Sequence, residues 1–358
     1  MILSDEILNI EMLLSNEEIN TDSSLLYGNT GMALVYYLVA KHTRNKTFKE
    51  QGLTLLNNMT EDIETMQEVT YGKGLAGIGW CIEWLVQQGL LADTNTDEIL
   101  SEADDVLYMS ALYDSTQPIS LLDGSTGLMA YFSKRFGSRN KDRNHVKNLF
   151  HQECLRLIIS DISDQITADD NIFTIEPVNS NTLIDLGNML YYLSMENKVN
   201  ILTVENLIYK TVAFITTFLD RLCETRMLLP NPADGNYYIN VLYLAASFEA
   251  ASSNIKHEYW RHNAISYLES LQCLFEARED LLSAADPFRK LTVYSLVYLA
   301  IPKNPVYKVI IRRLLDKCLE NQLPFQIANG RGQVVLSMLC LASPNLIDNW
   351  FELFAIQY

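Results

Sequence analysis

The side chains best suited to hold a metal or attack a substrate are the six cysteines and five histidines, and they are scattered along the chain. His151 and Cys154 are spaced i, i+3, which places both on one face of a helix. His257 and His262 are five residues apart, a spacing that does not share a face. A catalytic zinc needs three protein ligands, and no third ligand accompanies His151 and Cys154. The sequence therefore predicts no metal site and no cofactor.

Carboxylates are the other groups that could do chemistry. Glu83 is the one charge inside the apolar run "WCIEWL", between Trp80 and Trp84. A glycosidase needs a second carboxylate about 5–10 Å from the first, and Asp123 and Asp185 are the available partners. The alternative is that Glu83 is a polar residue at the seam between two helix layers. The candidate catalytic residues are therefore Glu83 and Asp123, with no catalytic role assigned.

These residues lie in or beside a repeated glycine motif. The segments "LLYGNTGMALVYYLVAK" (25–41), "YGKGLAGIGWCIEWLV" (71–86) and "LLDGSTGLMAYFSKRF" (121–136) each place two glycines three residues apart before an apolar run. In "IANGRGQVVLSMLCLA" (327–342) the turn ends at Gly332, with Asn329 in place of the first glycine. The repeat glycines are Gly28, Gly31, Gly74, Gly77, Gly124, Gly127 and Gly332. We expect them to permit close backbone approach and positive φ angles.

The gap between the third and fourth motifs holds three further apolar runs, 185–194, 237–248 and 290–300, mostly without glycine. Counting these, the chain has seven units of roughly 40–60 residues, each with room for two helices. Amphipathic stretches at 144–162, 204–224, 257–277 and 306–322 supply the second helix of a pair. A short hairpin or loop is expected at 167–182, and a turn at 228–235. Strand signals are otherwise nearly absent.

Seven helix pairs can stack as an open solenoid or close into a double ring. An inner helix is buried on most sides and so should be almost wholly apolar, which fits the post-glycine runs. The polar residues of the turns then converge at one mouth. We expect a ligand-binding rim of Asn29, Lys73, Ser125 and Arg331, the alternative being that such side chains cap helices.

Composition narrows the function classes. The formal net charge of −17 is spread along the chain, which argues against binding to nucleic acid or anionic membranes and allows a basic peptide partner. The first twenty residues lack the basic and apolar regions of a signal peptide, and no uncharged apolar run is 18 residues long. The dispersed cysteines are typical of reduced thiols. We therefore expect a cytoplasmic protein with no membrane insertion.

The glycine pairs, the seven units and the phrase "GLAGIGW" resemble the lanthionine synthetase C-like (LanC-like) family, and most of all its members that bacteria of the Bacteroidetes group carry near peptide-maturation genes. The resemblance covers essentially the whole chain. It implies one LanC-like domain, 1–358, that is all-α: an α/α toroid of about seven inner and seven outer helices. It also implies zinc-dependent closure of thioether rings, in which Cys thiols of a precursor peptide add to dehydrated Ser or Thr.

The zinc ligands that the resemblance implies are absent from their expected places. In the family a Cys at the fifth helix start and an adjacent Cys and His at the sixth hold the metal. Here those starts read "PNPADGNYYINVLYL" and "SAADPFRKLTVYSL", with no Cys or His. Cys81 comes four residues after its glycine pair, away from the family's ligand position, and is expected in the core. The zinc site is therefore not carried over.

Three functions stay open. The first is a zinc-free LanC-like accessory protein that binds a precursor peptide or a peptide-maturation enzyme. The second is an active peptide-modifying enzyme of the same family that uses other residues. The third is a carbohydrate-active α/α-barrel enzyme. The sequence favours the first.

Overall fold

The computed structural model describes residues 10–14, 21–59, 66–91, 94–113, 117–139, 144–168, 173, 179–196, 198–225, 235–278, 280–320 and 322–357. All regular structure in these ranges is helical. The hairpin or loop expected at 167–182 and the turn expected at 228–235 lie mostly outside these residues.

Sixteen helices follow one another along the described chain, after a helical stretch at residues 10–14. They are α1 (Asn29–Thr43), α2 (Lys46–Asn58), α3 (Leu75–Gln87), α4 (Thr96–Ile99), α5 (Ser101–Tyr113), α6 (Ser125–Phe136), α7 (His145–Ala168), α8 (Ser180–Met195), α9 (Ile201–Thr225), α10 (Tyr237–Ile255), α11 (Glu258–Ala277), α12 (Asp280–Ser283), α13 (Pro287–Ala300), α14 (Pro305–Leu319), α15 (Arg331–Ala342) and α16 (Phe351–Ala355).

Seven of these helices, α1, α3, α6, α8, α10, α13 and α15, form a closed inner ring. Each contacts the next, and α15 contacts α1 to complete the circle. They contain the apolar runs that the sequence predicts as inner helices. In α1, for example, every residue from Asn29 to Val39 is buried. A helix that is apolar all round can be stable only where neighbours cover every side, which is the condition inside a double ring.

The outer layer of the described chain is formed by the helices of 13 or more residues that connect the inner ones along the sequence, namely α2, α5, α7, α9, α11 and α14. They bury one face and expose the other, as in α14, where Tyr307, Ile311 and Leu315 are buried. The structure is thus the predicted α/α toroid. One outer helix, α9, is long and apolar enough over Ile201–Glu224 to cross a membrane by length and composition. Its buried side chains pack against neighbouring helices of the core.

Four inner helices begin with the same turn. The glycines that precede α1, α3, α6 and α15 are N-caps, and a Cβ added to any of them would lie 1.9–2.5 Å from a backbone carbonyl oxygen. These N-caps are Gly28, Gly74, Gly124 and Gly330. Close approach therefore explains the glycines, as expected. The expectation of positive φ is wrong, because among the described glycines only Gly89 has one.

The last turn is in a different register from the one expected. Gly330, not Asn329, is equivalent to Gly28, and Gln333 stands where Gly31 stands in the first unit. Gly332 is therefore one residue early. A Cβ there would still come within 3.0 Å of the Ile327 backbone, so Gly332 also meets a close approach.

A chain of backbone hydrogen bonds joins these turns. The N–H of Ala328 donates to the carbonyl of Leu26, Leu26 donates to Gly72, and Gly72 donates to Leu122, over 2.9–3.1 Å. The four residues hold equivalent places, two before each N-cap glycine. The bonds fix the starts of α15, α1, α3 and α6 side by side at one end of the ring.

The centre of the ring is filled by the segment Trp350–Gln357, here called the plug. The Phe351 ring stacks on Tyr191 of α8 with 4.1 Å between centroids, and Glu352 binds α3 and α6. Gln357 accepts a hydrogen bond from Thr292 of α13. The plug also contacts α10, because Phe351 lies 6.0 Å from the Tyr243 ring. A five-residue helix and its flanks can reach five inner helices only from the centre.

Candidate functional site at the mouth of the inner ring

All seven inner helices begin at the same end of the ring, here called the mouth. The hydrogen-bonded turns hold four of these starts together. Asn240 of α10 donates to Ser180, the first residue of α8, over 2.6 Å. The Asp286 N–H at the start of α13 donates to Asn236 at the start of α10 over 2.9 Å. Each helix N-terminus carries a partial positive charge, so seven partial positive charges converge at the mouth.

The four rim residues predicted from the sequence lie at these helix starts, but they differ in exposure. Asn29, Ser125 and Arg331 are buried, while Lys73 is exposed. Ser125 donates to the Pro118 carbonyl, and Arg331 Nε donates to the Leu323 carbonyl over 3.0 Å. These two side chains therefore hold their own turns together. Lys73 is the rim side chain that solvent reaches, with Nζ 5.8 Å from the Tyr27 ring centroid.

The mouth also brings two carboxylates together. Asp123 is exposed, directly before the N-cap Gly124 of α6, and Asp185 is half-buried in the second turn of α8. Burial, and then the negative charge of Asp123, raise the pKa of Asp185 to about 7. A carboxyl group with a pKa near neutrality can give and take protons under physiological conditions. Asp185 is thus the titratable group at the mouth best suited to acid–base work.

Glu83 lies elsewhere, in a buried ionic cluster at the far ends of α3 and α6. Arg135 is the centre of this cluster. Its Nη1 lies 2.8 Å from Glu83 Oε2, and its Nη2 lies 2.8 Å from Asp104 and 3.2 Å from Asp97. The Glu83 and Arg135 side chains are both fully buried. Glu83 is therefore engaged by Arg135 and does not face Asp123 across an open cavity.

His151 belongs to the same ionic cluster. Its Nε2 lies 3.1 Å from Asp104 Oδ2. Burial opposes ionisation of Asp104, but hydrogen bonds from His151 and Arg135 hold the pKa of its carboxyl well below the usual range. Cys154, on the same face of α7, is fully buried, and burial raises the pKa of its thiol. His257 caps α11 and stacks on Trp260. Each of these residues has a structural partner or a place in the core.

The donor set at the mouth does not fit a zinc ion. The starts of α10 and α13, where the resemblance implies ligands, are held by the bond between Asn236 and Asp286. Cys81 and Cys340 are fully buried within inner helices, and burial raises the pKa of both thiols, which disfavours the thiolate that zinc needs. Among the residues that the structure describes, no three His, Cys, Asp or Glu side chains converge to hold a metal.

Sequence reasoning flagged Asp123 and Asp185 separately but missed Arg135 and Glu352. Arg135 lies in the last turn of α6, and its carboxylate partners are 31 to 52 residues away along the chain. Glu352 is fully buried in the plug, where Lys134 Nζ lies 2.7 Å from its Oε1 and Trp84 Nε1 donates to its Oε2 over 3.2 Å. The only sequence signal was a charge inside an otherwise apolar segment, "WFELFAI".

Comparisons with known proteins bear on the fold. No model of a known protein family matches the chain, and no curated protein matches its sequence. Solved structures do match. Nisin cyclase has a TM-score of 0.65 against this chain at 12% sequence identity, over 99% of this chain and 97% of nisin cyclase. The closed double ring, its shared turns and this whole-length match together show that the chain has the α/α-toroid fold of nisin cyclase.

Proposed function

We propose that this chain is a LanC-like protein of a ribosomally synthesised peptide modification system. It acts as a single domain that binds a precursor peptide or a partner modifying enzyme at the mouth, and it does not use the zinc chemistry of the family. The observation that carries the proposal is the whole-length likeness to nisin cyclase, a protein named for acting on a peptide. The lack of Cys and His at the starts of α10 and α13 supports the zinc-free part.

The geometry favours the mouth as the binding face. The plug fills the centre of the ring, so a peptide would meet the helix starts and not a deep channel. Lys73 and Asp123 are exposed there. The net charge of −17 favours a basic peptide over an acidic one. All six cysteines are free thiols, which supports the cytoplasmic location that such a system would use.

The test is binding of the full-length protein to the precursor peptide or the modifying enzyme encoded beside its gene. We expect saturable binding in titration calorimetry. For a basic peptide, Asp123→Asn at the mouth should weaken it, and Glu50→Gln, on the exposed face of the outer helix α2, should not. If no neighbouring peptide or enzyme binds, the accessory role is lost.

A second candidate function is an acid–base enzyme that uses the Asp123 and Asp185 pair. The observation in its favour is that both carboxylates lie at the mouth, where burial and the charge of Asp123 raise the pKa of Asp185 to about 7. A carbohydrate-active enzyme would require the two carboxylates to flank a scissile bond. The measurement is hydrolysis of nitrophenyl glycosides by the wild type and by Asp185→Asn. Turnover that disappears in the variant favours the enzyme, and absence of turnover in both removes the carbohydrate-active form of it.

A further inference from the structure

A cleft opens at the opposite end of the ring from the mouth. It has a volume of about 890 Å³, which lies within the range of small-molecule sites. Its walls are the last turns of α10 and α13 and the segment 344–351 that leads into the plug. We name it the base cleft. It shares no residue with the mouth.

One wall of the base cleft carries a carboxylate oxygen that binds no donor in the described part of the chain. Glu249 is 8% exposed, and its Oε1 accepts hydrogen bonds from Ser253 Oγ over 3.0 Å and from Arg261 Nε over 3.1 Å. Its Oε2 has no hydrogen-bond donor among the described residues. This oxygen can therefore accept a hydrogen bond from a cation in the cleft, and such a charge-assisted bond is stronger than one between neutral groups.

The charge of the lining points to the kind of ligand. Asp348 adds a second carboxylate, and no Lys, Arg or His is among the lining residues that the structure describes. Arg261, which binds Glu249 Oε1, offsets part of the negative charge. The rest of the lining is largely apolar or aromatic, including Leu296 and Trp350. Such a site matches a cation carried on an apolar body.

We propose that the base cleft binds an organic cation, an ammonium or guanidinium group attached to an apolar chain. The cation lies against Glu249 Oε2 and Asp348, and its apolar part packs on Leu296 and Trp350. A guanidinium or ammonium donates hydrogen bonds to a carboxylate that are stronger than those between neutral groups. Two sources supply this chemistry, a Lys or Arg side chain of a peptide and a free polyamine. The proposal does not depend on the function of the mouth.

The test titrates the full-length protein with three probes in a calorimeter. These are the blocked peptide acetyl-Leu-Arg-Leu-amide, the same peptide with neutral citrulline in place of arginine, and spermidine. We expect saturable binding of the arginine peptide and at least tenfold weaker binding of the citrulline peptide. Spermidine that competes with equal affinity identifies a free amine as the source, and spermidine that does not compete identifies a peptide. Both outcomes support a cation site.

Two variants and a control locate the site. Glu249→Gln and Asp348→Asn should each weaken binding of the arginine peptide at least threefold, and together at least tenfold. Glu153→Gln removes the same charge from the exposed face of α7 and should leave the affinity unchanged. Asp348 is exposed, so its variant stays folded even if Glu249→Gln disturbs Arg261. Equal binding of both peptides, no saturable binding of any probe, or an affinity unchanged in Asp348→Asn would overturn the proposal.

Discussion

Arg135 is the residue whose loss the fold should tolerate least. It is fully buried and forms ion pairs with three carboxylates, those of Glu83, Asp97 and Asp104. Removing one partner of a buried ionic group leaves uncompensated charge, which costs about 3–5 kcal/mol. We predict that Arg135→Met lowers the free energy of unfolding by about that amount, measured by urea denaturation.

The matched control for this prediction is Arg156→Met. Arg156 pairs with Glu153 on the exposed face of α7, where both side chains are about half exposed. An exposed pair contributes about 0–1 kcal/mol, so this variant should unfold close to the wild type. Equal losses in the two variants would show that the buried cluster does not stabilise the fold.

Asp185 should make stability depend on pH. In the folded state its pKa is raised to about 7, mainly by burial, while in the unfolded chain it is about 3.9. Between pH 4 and pH 7 the native state binds a proton on Asp185 that the unfolded chain has released. The stability that Asp185 contributes is therefore fully present below about pH 4 and is lost as pH rises to about 7. Asp185→Asn has no carboxyl group to titrate, so this variant does not lose that stability as pH rises. Relative to the wild type, it should gain up to about 4 kcal/mol between pH 4 and pH 8.

The measurement is thermal unfolding of both proteins across that pH window. Asp123→Asn is the companion variant, because removing the neighbouring charge should shift the pH dependence of the wild type to lower pH. Identical pH profiles for the wild type and Asp185→Asn would mean that Asp185 titrates normally in the folded state.

Single residues divide into those that the sequence could locate and those that it could not. Asp123 and Asp185 were located because each lies beside a glycine of an apolar run. Glu83 was flagged as a charge in an apolar helix, and its seam interpretation agrees with its burial against Arg135. Arg135 itself could not be identified, since an arginine near a helix end usually faces water and only the folded chain brings its partners together.

The glycine turn is the repeated element, and its glycines should be irreplaceable for a steric reason. A Cβ at Gly77 would lie 1.8 Å from the Tyr71 carbonyl oxygen, so the turn would have to open. We predict that Gly77→Ala lowers the free energy of unfolding by about 3 kcal/mol, as expected of strong overpacking. Denaturant midpoints of purified variants measure it.

Gly137→Ala is the control for the turn. Gly137 follows α6, and a Cβ there would meet its nearest atom at 3.4 Å, an ordinary contact. Its negative φ suits alanine, so this variant should match the wild type within about 0.5 kcal/mol. A Gly77→Ala protein as stable as Gly137→Ala would show that the turn accepts a side chain.

The inner helices could be predicted from the sequence because each is an apolar run. Its start is marked either by a glycine or by the regular spacing of the repeated units. The register of the last turn was not, because Asn329 and Gly330 both fit a helix start and only the N-cap geometry separates them. The plug was also missed. Its segment "WFELFAI" would suit any short core helix, and nothing in the neighbouring sequence indicates that it lies at the centre of a ring.

At the scale of the whole molecule, the plug ties the inner helices together. Phe351 packs between Tyr191 and Tyr243, which belong to two different inner helices. Truncating a buried phenylalanine costs about 3–5 kcal/mol. We predict that Phe351→Ala lowers the unfolding temperature sharply in calorimetry, while Tyr259→Ala, on the exposed face of α11, leaves it nearly unchanged. Similar unfolding temperatures for the two would place the plug outside the cooperative unit.

The fold as a whole followed from the sequence because seven similar units constrain each other, and a closed ring is the arrangement that buries every apolar helix. Function did not follow in the same way. Function rests on a few side chains at the helix starts, such as Asn236 and Asp286, and no periodic pattern in the sequence marks them.

The zinc-free proposal is tested by the zinc content of a complex between the full-length protein and a precursor peptide encoded beside its gene. The complex is isolated by gel filtration, and its zinc is measured by elemental analysis. We predict that the complex forms in the presence of a chelator and contains no more zinc than the buffer. One zinc ion per protein chain, or a complex that forms only when zinc is added, would contradict it.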